Sequence, residues 1–351
     1  MAIKVLVVDD SALIREVLSS TLVKDGDIEI VGTAEDPIIA RRKIKQLNPD
    51  VITLDIEMPN MNGLEFLSKL MRLRPIPVVM VSTLTHKGAS ETMLALELGA
   101  VDFVGKPGHD LSGGIEKFGA DIRQKVRSAA QSDVRGQAMR NSVAPKPFVA
   151  TSAAGVPKGS LIAIGASTGG VDAVRNVVSR LPADCPPVVV AQHMPPNFTE
   201  RFAERLNQQI ELSVVEASDR LPLENGHVYI AKGGFHLQLE ISSGQLKCRL
   251  NEGDLVSGHR PSVDALFSSV AKTIGSKAVG AILTGMGKDG AAGLKLMREA
   301  GAYTVGQNKE SALVYGMPRV AKEIGALVEE APVEDIANRL IYGLIKQKSA
   351  A

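Results

Sequence analysis

The 351-residue chain has no tryptophan, two cysteines and an aromatic content of 3%. Cys185 and Cys248 are distant in sequence and form no C-x-x-C pair, which excludes a disulfide framework and a cysteine-based zinc site. Both are expected as buried, inert thiols in a reducing compartment. Charge of one sign is also missing: Lys plus Arg number 40 against 39 for Asp plus Glu, a formal net charge of +1. That balance gives no general attraction to nucleic acid or anionic lipid. No helix-turn-helix, zinc-finger or aromatic-rich strand-binding pattern occurs either. No apolar run approaches the roughly 18–20 residues that span a bilayer. The opening stretch MAIKVLVVDDSALIREV is interrupted by two aspartates and does not form a secretory signal. The expectation is a cytoplasmic protein with no nucleic-acid partner and no direct membrane insertion.

Hydrophobic residues make up 44% and charged residues 23%, the mixture of a globular protein, and the length suits two domains. In the first part IKVLVV, IEIVG, DVITLDI, PVVMVS and VDFVGKP are apolar runs bounded by acidic residues, Pro or Gly, the pattern of buried strands. Helical patterns separate them, as in SALIREVLSSTL, where Ser11 is an expected N-cap and Leu13, Val17 and Leu18 are expected to share one face. Five such units predict a five-stranded parallel, flavodoxin-like sheet covered on both faces. From 128 to 158 the periodicity gives way to Ala, Ser, Pro and Gly, the composition of a tether. The second part resumes with LIAIGAS, PPVVVAQHM, ELSVVEA, VGAILTGMG and AYTVGQ as strands. HVYIAKGGFHLQLE followed by GQLKCRL predicts an antiparallel insert with Gly pairs as turns. The predicted fold class is therefore α/β with two doubly wound domains, 1–127 and 159–351, joined by a linker over 128–158; the second is mainly parallel and Rossmann-like.

Asp9 and Asp10 end the first predicted strand, Asp55 the third, Ser82 the fourth, and Lys106 follows the fifth. Carboxylates gathered at neighbouring strand ends repel one another unless a hard dication such as Mg²⁺ is bound. Taken one at a time, each aspartate could equally be a helix cap. Through VVDDS, LDIEMPNMNG, MVS and GKP, roughly residues 1–125 resemble the receiver domain of two-component response regulators. The resemblance implies that Asp55 accepts a phosphoryl group from a histidine kinase. It further implies that Asp9, Asp10, Asp55 and the carbonyl of Glu57 hold Mg²⁺, and that Ser82 and Lys106 sense the phosphoryl group.

The stretch IGASTGG admits two readings. Gly165, Ser167 and Gly169 have the G-x-S-x-G spacing of a nucleophile elbow, while glycines after a strand also suit a dinucleotide turn. The G-x-G-x-x-G spacing is missing, and the next strand ends in His193 rather than in an acid. A serine needs a base, and the base needs an orienting carboxylate. His193 closes the strand of PPVVVAQH, and Asp289 lies just past another strand end, in GAILTGMGKDG. Each also has a plainer reading, as a helix cap or a turn residue. His259 and Asp264, in SGHRPSVDALF, are rival candidates for base and partner, with Arg260 beside them as a possible contact for an acidic substrate. They rank second because no strand holds them. Oxyanion donors are expected among backbone N–H groups after Ser167 or around Met286, with Thr168 shaping the pocket.

The order serine, histidine, acid is not that of α/β-hydrolases. Through IGASTGG, QHMPP, HRPSVDALF and ILTGMGKDGAAG, about 160–345 resembles the catalytic domain of the chemotaxis protein-glutamate methylesterases. The resemblance implies hydrolysis of γ-glutamyl methyl esters on cytoplasmic chemoreceptor helices, with release of methanol. It also implies deamidation of particular receptor glutamines, with no cofactor for the ester step. The domain order implies that the receiver restrains the esterase until Asp55 is phosphorylated. Two other classes stay open at this point: a response regulator whose second domain binds a dinucleotide and transfers hydride, and a non-enzymatic adaptor that docks to receptors.

Overall fold

A computed structural model describes residues 2–58, 61–83, 85–106, 111–136 and 153–348. The chain divides into two compact units, Met1–Pro145 and Lys146–Ala351.

The first unit holds β1 (Ile3–Val8), β2 (Ile28–Ala34), β3 (Val51–Asp55), β4 (Val78–Ser82) and β5 (Asp102–Gly105). They pair in parallel in the order β2-β1-β3-β4-β5. All five residues of β3 and of β4 are buried, which is why these segments are continuous apolar runs instead of alternating ones. Helix α1 (Ala12–Leu22) is capped by Ser11, whose Oγ accepts from the backbone N–H of Ile14. The expected apolar face needs correction: Leu13 is 66% exposed, and Leu18, Thr21 and Leu22 are the buried residues. Positions 18 and 22 lie one turn apart, whereas Leu13 is displaced by roughly half a turn from position 18 at about 100° per residue. Helices α2 (Pro37–Leu47), α3 (Gly63–Leu73), α4 (His86–Glu97) and α5 (Leu111–Ala130) also belong to the unit.

Helix α5 runs three residues into the span expected as a tether, and Ser128, Ala129 and Val134 are buried. Composition misses this because short Ala and Ser side chains also suit a close-packed helix face. Residues 137–152 of that span lie outside the described residues.

In the second unit β6 (Leu161–Ala166), β7 (Val188–Gln192), β8 (Ser213–Glu216), β9 (His227–Ile230), β12 (Ala278–Ile282), β13 (Tyr303–Gln307) and β14 (Glu329–Ala331) form one sheet. Its order is β14-β13-β12-β6-β7-β9-β8 and every pairing is parallel. The expected antiparallel insert is β10 (His236–Ser242) with β11 (Gln245–Asn251). HVYI, however, belongs to the main sheet as β9: Val228, Tyr229 and Ile230 are buried between β7 and β8. The insert buries Leu237, Leu239 and Cys248 in the core that also holds Leu266, Phe267 and Val270 of helix α8 (Val263–Thr273). The other helices are α6 (Gly170–Val178), α7 (Phe198–Gln209), α9 (Ala291–Glu299), α10 (Met317–Glu323) and α11 (Val333–Lys348).

From β6 the chain moves to β7 on one side and later returns to β12 on the other. Such a reversal opens a crevice over the carboxyl ends of the strands that flank it. No helix among the described residues is long and apolar enough to cross a membrane.

Candidate active site

Ser167 follows β6, His193 follows β7 and Asp289 lies in the loop after β12, so the three central, adjacent strands each deliver one residue to the same edge. The ladder continues past the formal strand ends and holds them in step. Ser167 N–H donates to Thr284 O (3.0 Å), Leu283 N–H to Gly165 O (2.8 Å) and His193 N–H to Ala166 O (3.2 Å). Gly285 lies tightly against the serine: a Cβ on it would fall 2.7 Å from Ser167 Cβ. The G-x-S-x-G stretch lacks the strained serine of a hydrolase elbow. Gly169 takes the left-handed conformation (φ +76°) on entry to α6, and Ser167 is not among the positive-φ residues.

The side chains meet in a line. Ser167 Oγ lies 3.1 Å from His193 Nδ1, and His193 Nε2 lies 2.7 Å from Asp289 Oδ2. Since Asp289 accepts at Nε2, the neutral ring carries its proton there and leaves the Nδ1 lone pair facing the serine hydroxyl. Asp289 is 2% exposed. Burial alone would raise its carboxyl, but the His193 bond and charge, with the N–H groups of Asp264 and Val263, bring it down to about 2. Oδ1 accepts from Ser262 Oγ (2.8 Å) and Asp264 N–H (3.0 Å), and Oδ2 from Val263 N–H (2.7 Å) as well as the imidazole. Those amides are the N-terminus of α8, where a carboxylate is favoured by the orphan donors and the helix dipole. Asp289 thus bonds both the imidazole and the amides that open α8, a helix other than the one that follows it in sequence. His193 caps nothing: Asn197 occupies the N-cap position of α7.

The rivals take other places. Asp264 Oδ1 accepts from Gly293 N–H in the first turn of α9 (2.7 Å), and its Oδ2 from Ser257 Oγ (3.2 Å). Burial and the neighbouring Asp289 carboxylate raise it. His259 stacks on the face of His193. The Arg260 guanidinium donates to the carbonyls of Glu252 and Gly253. Thr168 is buried and Met286 half-buried beside Gly285. Ser167 N–H and Gly285 N–H are both committed, to Thr284 O and Val314 O, so neither serves as an oxyanion donor.

In the first unit Asp9, Asp10 and Asp55 each place a carboxylate oxygen within 4.8 Å of the others, with Asp9 and Asp55 buried and Asp10 exposed. Lys106 Nζ lies 2.9 Å from Asp9 Oδ2 and 2.8 Å from Asp55 Oδ2. Burial raises both aspartates; for Asp55, with Asp9 adding to it against the pull of Lys106, the result is about 6. Three carboxylates against one ammonium make an oxygen-rich, net-negative cluster, a donor set that fits a hard dication such as Mg²⁺. Glu57 stands two residues past the end of β3, and Ser82 is buried at the end of β4, one position beyond the partner of Asp55. Gly63 is required beside the site: a Cβ there would lie 2.0 Å from the Asp55 carbonyl oxygen.

Residues 162–340 match the family described as CheB methylesterase, and residues 5–112 match the response regulator receiver domain. The chain belongs to the CheB methylesterase family. A protein-glutamate methylesterase/protein-glutamine glutaminase of Caulobacter vibrioides is 55% identical over 97% of each chain, and one of Agrobacterium fabrum is 51% identical over 99% of this chain and 98% of its own. The crystal structure of the Thermotoga maritima CheB methylesterase catalytic domain, 38% identical, covers 53% of this chain and 99% of its own, with a TM-score of 0.52. This chain is thus a hydrolase of the methylesterase class with an attached receiver, and both resemblances expected from sequence hold.

Three supports of this CheB-family site were not foreseen. Gln192, buried, donates through Nε2 to Ser167 O (2.9 Å). Ser262 is at once the N-cap of α8 and a donor to Asp289. Thr284 Oγ1 donates to Thr168 O (3.0 Å), and Thr284 N–H donates to Gln307 Oε1 (2.7 Å). A polar residue closing a buried strand, as Gln192 and Gln307 do, was the available signal.

Proposed function

We propose that this chain hydrolyses γ-glutamyl methyl esters of chemoreceptors and deamidates specific receptor glutamines, through Ser167, His193 and Asp289, under the control of a phosphoryl group on Asp55. The observation that carries the proposal is the unbroken line of bonds from the Ser167 hydroxyl through the imidazole to Asp289. The names of the relatives supply the substrate class.

In this scheme Ser167 Oγ attacks the side-chain acyl carbon while its proton passes to His193 Nδ1. The imidazolium is stabilised by Asp289, which stays ionised because four donors surround it. Nδ1 then returns the proton to the leaving group, as methanol from an ester or ammonia from an amide. Water, deprotonated by the same nitrogen, releases glutamate from the serine. The N–H groups of Thr168 and Met286 are the proposed oxyanion donors, each worth about 10²–10³ in rate. None of these steps draws on a cofactor.

In the receiver, Asp55 is the proposed phosphoacceptor, with Ser82 and Lys106 placed to bond the phosphoryl oxygens. Asp9, Asp10 and Asp55 with the Glu57 carbonyl would hold Mg²⁺, which supplies positive charge to the phosphoryl oxygens when bound. The proposed partners are the cytoplasmic helices of chemoreceptors and a chemotaxis histidine kinase, which puts the protein in the cytoplasm.

Methanol release from methylated receptors tests the reading. Ser167→Ala is expected to lower it by about 10⁴–10⁶ and to abolish labelling by a serine-directed fluorophosphonate. Undiminished turnover in that variant overturns the covalent mechanism, and an adaptor would take no label at all. A reduced nicotinamide is expected to show no fluorescence change on titration with the protein.

A further inference from the structure

His259 is the strongest group that the proposed chemistry leaves unused. Its ring lies face to face with that of His193, with centroids 3.7 Å apart and planes 13° from parallel. Near-parallel stacking directs the nitrogens of each ring along its own edge, so the two imidazoles share no hydrogen bond and His259 does not extend the proton path.

The segment that carries His259 is braced from several directions. Val256 and His259 exchange backbone hydrogen bonds of 3.0 and 3.2 Å across Ser257 and Gly258. Those two residues have φ of +53° and +81°, the pair of left-handed conformations that a two-residue hairpin turn requires. Ser257 Oγ donates to Asp264, Gly234 N–H donates to Arg260 O (3.2 Å), and Arg260 Nη1 clasps the carbonyls of Glu252 (2.6 Å) and Gly253 (2.8 Å). Three residues after His259 the chain reaches Ser262, which donates to Asp289. One short braced segment thus touches the histidine through a ring and its acid through a hydroxyl.

Hydrogen bonds at Nδ1 and Nε2 hold a ring by its edge and resist tilt about the line through those atoms only weakly. The hold weakens further once the serine oxygen has bonded to the acyl carbon, because the bond at Nδ1 is then lost while the ring must still aim first at the leaving group and then at water. We infer that His259 is a positioning residue for the hydrolysis, a flat wall that keeps the His193 imidazole in the plane of Ser167 and Asp289. This deepens the serine–histidine–aspartate reading and rests on it.

The test uses the full-length protein, with kcat and KM for methanol release and fluorophosphonate labelling of Ser167. His259→Ala is expected to lower kcat about 10-fold or more, with KM nearly unchanged, the scale on which a small misplacement of a reacting group costs rate. His259→Phe keeps a flat face without nitrogens and is expected to recover kcat to near the wild-type value. Wild-type kcat in the alanine variant overturns the inference, and so does a phenylalanine variant as slow as the alanine one, which would put the role in the nitrogens. If the wild type neither labels nor releases methanol, the underlying reading has failed instead.

Discussion

Asp55 and Asp289 are buried almost alike, 3% and 2% exposed, each at the carboxyl edge of a parallel sheet, yet their acidities move in opposite directions. Burial opposes ionisation in both. Asp289 overcomes it with an imidazole, a hydroxyl and two backbone amides from a helix N-terminus. Asp55 has the N–H of Ile56 and a share of Lys106, and faces a second buried carboxylate in Asp9. One anion is fully served by its own chain. The other is left short of donors and positive charge, which suits the phosphoryl group and dication proposed for it. The lesson is that burial alone does not assign a carboxylate its role; the number of donors around it does.

The comparison is broken most severely on the finished side. Asp289→Asn is expected to lower kcat by about 10⁴, because an amide cannot accept from all four donors and favours the wrong tautomer of His193. A loss below 10-fold would remove Asp289 from the proposed mechanism. On the unfinished side, Asp55→Asn is expected to abolish uptake of phosphate from a small-molecule phosphodonor, together with any rise in methanol release that the donor produces in the wild type. Retained labelling would place the phosphoryl group elsewhere.

Two smaller effects sharpen the contrast. Ser262→Ala removes the cap of α8 and one donor to Asp289, at a cost of about 0.5–2 kcal/mol, and should lower the thermal midpoint of the catalytic unit by a few degrees. An unchanged midpoint would mean that the cap is idle. The pH dependence follows from the sign of the Asp289 shift. Its native value of about 2 lies below the unfolded value near 3.9, so its stabilisation is complete above roughly pH 4 and disappears as pH falls towards 2. Denaturant midpoints measured across that window should decline less in Asp289→Asn than in the wild type.

Much of this architecture is legible in the chain because buried parallel strands are uninterrupted apolar runs. Ser167, His193 and Asp289 could be named because each sits just past such a run, and adjacency in the sheet does the rest. What escaped depends on contacts that no local pattern carries. Leu13 has the composition of a core residue, but its place on α1 turns it outward. HVYI is short enough to suit a hairpin or a parallel strand, and only the gap between β7 and β8 decides. The ranking of His259 behind His193 rested on the lack of a strand beneath it, while its actual support is a two-residue turn and cross-links to distant segments.

The bonds around Asp289 and Asp264 join the starts of two helices crosswise: Asp289, ahead of α9, serves the amides of α8, and Asp264, on α8, serves an amide of α9. Loosening either helix end would therefore loosen the acid behind the imidazole in the same event. With Asp289 acting as proposed, a partly unravelled copy of this domain would fall silent instead of cutting esters without restraint, so damage at this corner would fail safe.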